Sequence, residues 1–192
     1  MKKYFILTIL VLWLCNKSYS EVLKPKENDK SFDLQSVKCG MTMEDIKILF
    51  DVRLYEGSFK DSYKIYNVKV LNEVSYLEIK FNQKRVIRVI YNFTPSEKDP
   101  LKKVFLYNSI EQLLLKTYGK VELDNSEWKD GSVLTSVSDI AEALSENEVR
   151  LFKTWQTSDY ITIYHVLHKN NEHLFWQPYH HFVDITCPRS SQ

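Results

Sequence analysis

All five histidines of the chain lie between positions 165 and 181: His165, His168, His173, His180 and His181. Clustered imidazoles are the first place to look for zinc or copper chemistry. On an extended strand, however, His165 and His168 point to opposite faces, and so do His180 and His181. No carboxylate or thiolate stands at a metal-ligand spacing beside them. Histidines that pack on or between strands are therefore the default reading, and a metal or small-ligand carrier built on these C-terminal strands is the alternative.

The cysteines are the second chemical resource. Cys15 lies in an apolar N-terminal run, which leaves Cys39 and Cys187 in the body of the chain. Either could serve as a nucleophile beside a histidine, but neither sits in a nucleophile motif and there is no C-x-x-C. Two leftover cysteines in an oxidising compartment commonly pair; two buried free thiols are the other possibility. A pairing across so long a loop would stabilise by about 4–5 kcal/mol in the chain-entropy model. The four glycines form no phosphate loop, dinucleotide fingerprint or G-x-S-x-G elbow. The carboxylate pairs Glu44-Asp45 and Glu146/Glu148 are explained by helix capping and solvation. The expectation is a protein that is not an enzyme and holds no cofactor, with an exported hydrolase of unfamiliar type as the remotest reading.

The N-terminus supplies the compartment. Lys2 and Lys3 precede an apolar run from Tyr4 to Leu14, and Ser18-Tyr19-Ser20 offers small residues for cleavage after Ser20. The run is too short to span a bilayer. Residues 1–20 thus read as a signal peptide and the protein as periplasmic or secreted. The alternative is a membrane-anchored lipoprotein with lipid on Cys15, although Leu14 stands where a lipobox wants a small residue. Cleavage would remove three lysines from 26 basic residues, leaving 23 against 25 acidic, a balance of −2. That balance argues against nucleic acid as a partner, which demands a basic face.

The elements follow from pattern. Residues 21–31 are a charged, flexible lead-in. Phe32–Val37 alternates as a short strand. Gly40 suits a turn with positive φ, and Thr42 with Asp45 forms a shortened capping box for a helix over Met43–Val52 that buries Met43, Ile46, Leu49 and Phe50. Alternation predicts strands over Tyr63–Leu71, Val74–Phe81 and Lys84–Phe93, joined after the second by a turn at Asn82-Gln83. Asp99 and Pro100 open a second helix that stops at Gly119, with Leu106, Ile110, Leu113, Leu114 and Thr117 inward. Residues 122–148 read as an inserted loop with a short helix over Ser138–Leu144. Strands over Arg150–Gln156, Tyr160–His168 and His173–Tyr179 close the sheet, and Val183–Gln192 trails off.

Two stretches carry a family resemblance. Cys39-Gly40-Met41-Thr42-Met43-Glu44-Asp45-Ile46 resembles the Gly-Met-Thr start of the β-lactamase-inhibitor-protein-like superfamily, which includes the SmpA/OmlA-type outer-membrane assembly lipoproteins. Leu113–Lys120, ending in Tyr118-Gly119-Lys120 and followed by Trp155 and the strand around Tyr164, is similar in order. The chain departs from the pattern where the glycine expected after the first helix is displaced to Gly57. The resemblance covers about residues 32–180 and implies an α+β fold: two tandem lobes (32–95 and 96–185, with a tail over 186–192), their helices on one face of an antiparallel sheet. It further implies a non-catalytic envelope protein that binds another protein. Aromatics crowd the C-terminal half, and strand alternation nominates Tyr160, Tyr164 and Trp176 as partner-binding residues on an exposed sheet face.

Overall fold

The computed structural model describes residues 31–50, 55–56, 61–71, 73–93, 97–129, 131, 135–170 and 178–188. The expected leader and nearly all of the lead-in lie outside them, as do Gly57, His173 and Trp176. The fold is α+β, with three helices and ten strands in one sheet among the described residues.

The first strand, β1, covers only Ser31–Phe32. Asp33 ends it. Its carboxylate accepts from the Gln35 amide at 2.9 Å and from the Ser36 hydroxyl at 3.0 Å. This local turn competes with the ladder and replaces the alternating strand expected through Val37. The chain then turns at Gly40, where φ is +80°. The capping box forms as the residues predict. The Asp45 amide donates to Thr42 Oγ1 at 3.2 Å, and the Thr42 amide donates to the Asp45 carboxylate at 2.8 Å. Helix α1 spans Met43–Phe50, with Ile46 and Phe50 buried.

A meander follows: β2 (Tyr55–Glu56), β3 (Ser62–Val70), β4 (Glu73–Asn82) and β5 (Arg85–Phe93). β1 pairs with β3 in parallel, so the sheet is not wholly antiparallel. The plain alternation expected along β3 is broken: Ile65 and Val68 are both buried, and the register shifts between them. A second shift opposite Lys80 and Phe81 buries both Val86 and Val89. Each bulge re-aims the strand so that apolar residues three apart reach one face. The β4–β5 turn is centred on Gln83 and Lys84, both at positive φ, one residue later than expected.

Asp99 caps helix α2 (Pro100–Tyr118) by accepting from the Leu101 amide at 2.9 Å, and the Gly119 amide closes the other end on Leu115 O. Asn108-Ser109 does not interrupt it; the Ser109 hydroxyl donates to Phe105 O at 2.9 Å. The supposed loop over 122–148 contains β6 (Leu123–Asp124), β7 (Glu127–Trp128) and helix α3 (Val137–Ser145), and both strands pair with β8 (Val149–Gln156).

β9 covers Thr162–Lys169 and β10 covers Tyr179–Thr186. Residues 173–177 of the strand expected over His173–Tyr179 lie outside the described residues, and the tail expected from Val183 is corrected here, because Val183–Thr186 belong to β10. β10 lies between β5 and β9 in the order β1-β3-β4-β5-β10-β9-β8-β6. It joins the two meanders into one sheet, so residues 32–95 and 96–185 share a ladder. Its polar residues, His180, His181 and Asp184, disguise an interior strand.

One row of side chains across the sheet is Leu77, Tyr91, Val183, His165 and Lys153, and the next is Ile79, Val89, Ile185, Ile163 and Trp155. Ile46 and Phe50 of α1 and Ile110 and Leu114 of α2 share a buried cluster with the apolar and aromatic members of these rows. A second cluster joins Val104 and Tyr107 of α2, Ala141 and Leu144 of α3, and Leu151 and Leu167 of the strands. Cys39 and Cys187 form a disulfide with a Cα–Cα distance of 5.6 Å. Both cysteines are held against the start of β5. Gly40 donates to Val86 O at 2.9 Å and Cys187 donates to Ile87 O at 3.0 Å.

Candidate functional site: two histidine pairs and an aromatic sheet face

The four described histidines sort by strand alternation into two cross-strand pairs, one on each face. The individual faces are legible in the sequence; the pairing across β9 and β10 is not, because it depends on long-range register. His168 stands directly opposite His180. Their rings stack at 5.1 Å with planes 14° apart, and His168 Nδ1–H donates to Lys169 O at 2.8 Å. Burial lowers the His168 pKa, the Lys169 carbonyl opposes this, and Arg150 adds to it.

His165 and His181 lie on the other face, in the interior. Their Nε2 atoms are 3.1 Å apart, and both residues are buried. One ring must carry its proton on Nε2 and donate to the bare Nε2 of the other. Tyr107 of α2 stacks on His165 at 3.9 Å, with planes 12° apart. Phe93 lies 5.1 Å from His181 and Trp155 6.5 Å from His165. Among the described residues, Tyr107 Oη and both Nδ1 atoms find no hydrogen-bond partner.

Lys103, also buried, comes from one turn earlier on α2 and donates from Nζ to Phe93 O at 3.0 Å. Burial pulls its pKa down to about 8. Burial holds both histidines well below their ordinary range, with Lys153 adding to the effect at His165, and His165 and Lys103 adding to it at His181. Burial pushes the Tyr107 hydroxyl up. A helical pattern scored on apolar residues misses Lys103 and Tyr107, although their spacing of four places them on one face.

Among the described residues no group of three or more His, Cys, Asp or Glu side chains is arranged to hold a metal ion. With Cys39 and Cys187 joined, neither sulfur is a thiolate, the form a nucleophile needs.

The reverse side of the sheet presents a row of Tyr76, Asn92, Phe182, Val166 and Phe152, flanked by a row of Glu78, Ile90, Asp184, Tyr164 and Thr154. Tyr164 stacks with Phe152 at 5.8 Å, and Arg150 lies 5.6 Å over the Phe152 ring. Tyr66, 48% exposed, meets Tyr76 at 5.9 Å. A cleft of about 450 Å³ at the edge of this face is lined by Trp128, Glu148, Arg150 and His168 among others. Tyr164 is therefore on this face, with Phe152, Phe182 and Tyr76 as partners that the sequence reading passed over. Tyr160 is in the β8–β9 turn rather than in the strand. Its φ is +60°, its amide donates to Thr157 O at 3.0 Å, and it is 71% exposed.

Fold and site together define a disulfide-tied α+β protein with a polar histidine cluster inside and an aromatic face outside. Comparison with protein-family models, with curated proteins and with solved structures gives no match.

Proposed function

We propose that this is a non-catalytic, exported protein of the cell envelope that binds another protein through the aromatic face of its sheet. The observation that carries the reading is the cross-strand set Phe152, Tyr164, Phe182 and Tyr76, half-buried side chains on one continuous surface. Tyr and Phe supply large contact area at low entropy cost and are enriched at interface anchors. The leader-like pattern over residues 1–20 supports export, and so does the Cys39–Cys187 bond, since disulfides persist in oxidising compartments. The resemblance of the Gly40-Met41-Thr42 turn and the Tyr118-Gly119-Lys120 helix end to the β-lactamase-inhibitor-protein-like and SmpA/OmlA-type proteins points to the same class. In keeping with that order, the Trp155 indole donates to Gly119 O at 3.2 Å.

The test is site-specific photocrosslinking in the native envelope. A crosslinker at Phe182 should trap one protein, and the same group at Ile48, 80% exposed on α1, should not. Equal trapping at both sites, or none at Phe182, defeats the reading. A metal carrier is the second reading, favoured by the stacked His168–His180 pair. It predicts stoichiometric zinc or copper on the purified protein that is lost in His180→Gln.

A further inference from the structure

We propose that His165 and His181 form an acid-operated latch: neutral, they seat α2 against β9 and β10, and on double protonation they release it. This goes beyond the binding role and does not depend on it. The geometry sets the logic. The Nε2···Nε2 contact of 3.1 Å needs one bare nitrogen. A first proton can enter and leave the contact intact, with a charged ring in an apolar site. A second proton leaves two N–H groups facing each other, and two like charges in contact.

Among the described residues the surroundings offer little to absorb that charge. On α2, Tyr107 lies flat on His165, and Lys103 adds a cation near His181. Glu111, also on α2, pairs with Lys153 of β8, and Asp124 is 3.8 Å from the same ammonium. β5 presents Phe93 and Tyr91, whose hydroxyl donates to Leu34 O. β8 presents Trp155 besides Lys153. α3 contributes Ala141, Ala143 and Leu144 to the neighbouring cluster, none of which titrates. Glu97, Glu73 and Asp99 act on Lys103 and Tyr179 rather than on the rings. The helix that rests on the pair, through Tyr107, is α2, so α2 is what moves when the contact fails.

The sign follows from burial. Both rings titrate lower in the fold than in an open state, where imidazole ionises near about 6.5. Above that pH the latch is closed at no proton cost. As pH falls below it, the open state binds protons that the closed one refuses. The opening equilibrium then shifts up to about tenfold per pH unit for each ring, approaching about a hundredfold for two.

The experiment is amide hydrogen exchange on the full, disulfide-intact protein between pH 7 and 4.5, corrected for intrinsic rates, with β4 amides as the internal reference. Protection over Val104–Leu114 should fall steeply below pH 6.5 while β4 stays protected. His181→Gln should cut the pH slope toward tenfold per unit, and His168→Gln, on the reverse face, should leave it unchanged. Nitrogen NMR of the unmutated rings provides a readout that needs no variant: both rings should become imidazolium in the interval where α2 opens. Protection of α2 that tracks β4 at every pH overturns the proposal. So does an unchanged slope in His181→Gln, or opening while both rings stay neutral.

Discussion

Arg88 on β5 grips Asp184 on β10, donating from Nε to both carboxylate oxygens at 2.9 and 3.1 Å and from a terminal nitrogen to one of them. The pair lies where the two meanders meet, so it clamps the ladder that makes one sheet of two halves. The partners are unequally placed: the Asp184 side chain is 5% exposed and that of Arg88 38%. Removing the arginine strands a buried carboxylate, whereas neutralising the aspartate leaves a guanidinium that can reach water. Arg88→Met should therefore cost about 2–3 kcal/mol and Asp184→Asn only about 1 kcal/mol. Urea melts of both variants check the order. Equal losses would mean that the Asp184 charge is served from elsewhere.

The disulfide makes a larger contribution through the unfolded chain. Cys39 and Cys187 are 148 residues apart, and closing a loop of that length lowers denatured-state entropy by the equivalent of about 5 kcal/mol in the chain-entropy model. The native contacts beside it, Gly40 to Val86 and Cys187 to Ile87, are backbone hydrogen bonds that survive reduction. Reduced protein should thus keep its circular-dichroism spectrum at room temperature and unfold at much lower denaturant. A double Cys→Ser variant should match the reduced protein and lose its sensitivity to reductant.

Lys103 is buried and donates to the Phe93 carbonyl, and its pKa falls to about 8 because burial disfavours the charge. Lys103→Met removes that penalty but leaves the carbonyl with one fewer donor, worth about 1 kcal/mol. The net expectation at pH 7 is a gain of about 1–2 kcal/mol. The folded value is the lower one, so between about pH 8 and 10.4 the unfolded chain holds a proton that the fold has released. The wild-type protein therefore gains stability as pH rises through that window, and the advantage of the methionine variant should vanish by its upper end. Paired denaturation series at pH 7 and 10.4 provide the check.

How much of this was legible follows from how local each signal is. The caps at Thr42/Asp45 and Asp99/Pro100 and the stop at Gly119 are written within four residues, and they form as read. The disulfide was legible as one of two possibilities, from cysteine count and compartment. β10 was not, although Tyr179, His181, Val183 and Ile185 alternate inward, because two histidines and an aspartate look like a surface. His181 and Asp184 are tolerated inside because partners come from afar: Arg88 for Asp184, and His165 with Tyr107 for His181. The bulges after Ile65 and near Val86 likewise depend on the neighbouring strand. The aromatic face depends on that register, so alternation within one strand points to Tyr164 but not to Phe152 and Phe182 on the strands beside it.

Binding and stability should separate on that face. Tyr164 touches Phe152 across strands, an interaction worth roughly 0.2–1 kcal/mol, and neither residue is fully buried. Tyr164→Ala should therefore lower stability by less than about 1.5 kcal/mol, while a central aromatic anchor in an interface is worth 2 kcal/mol or more, about 30-fold in affinity. In extracts of the native envelope, tagged wild-type protein should elute in a complex larger than its own mass. Tyr164→Ala and Phe182→Ala should elute as the free chain, and Ile48→Ala, off the face, should behave as wild type. If the face variants keep the complex while melting normally, the contact lies elsewhere, and the Trp128–Arg150–His168 cleft becomes the surface to mutate.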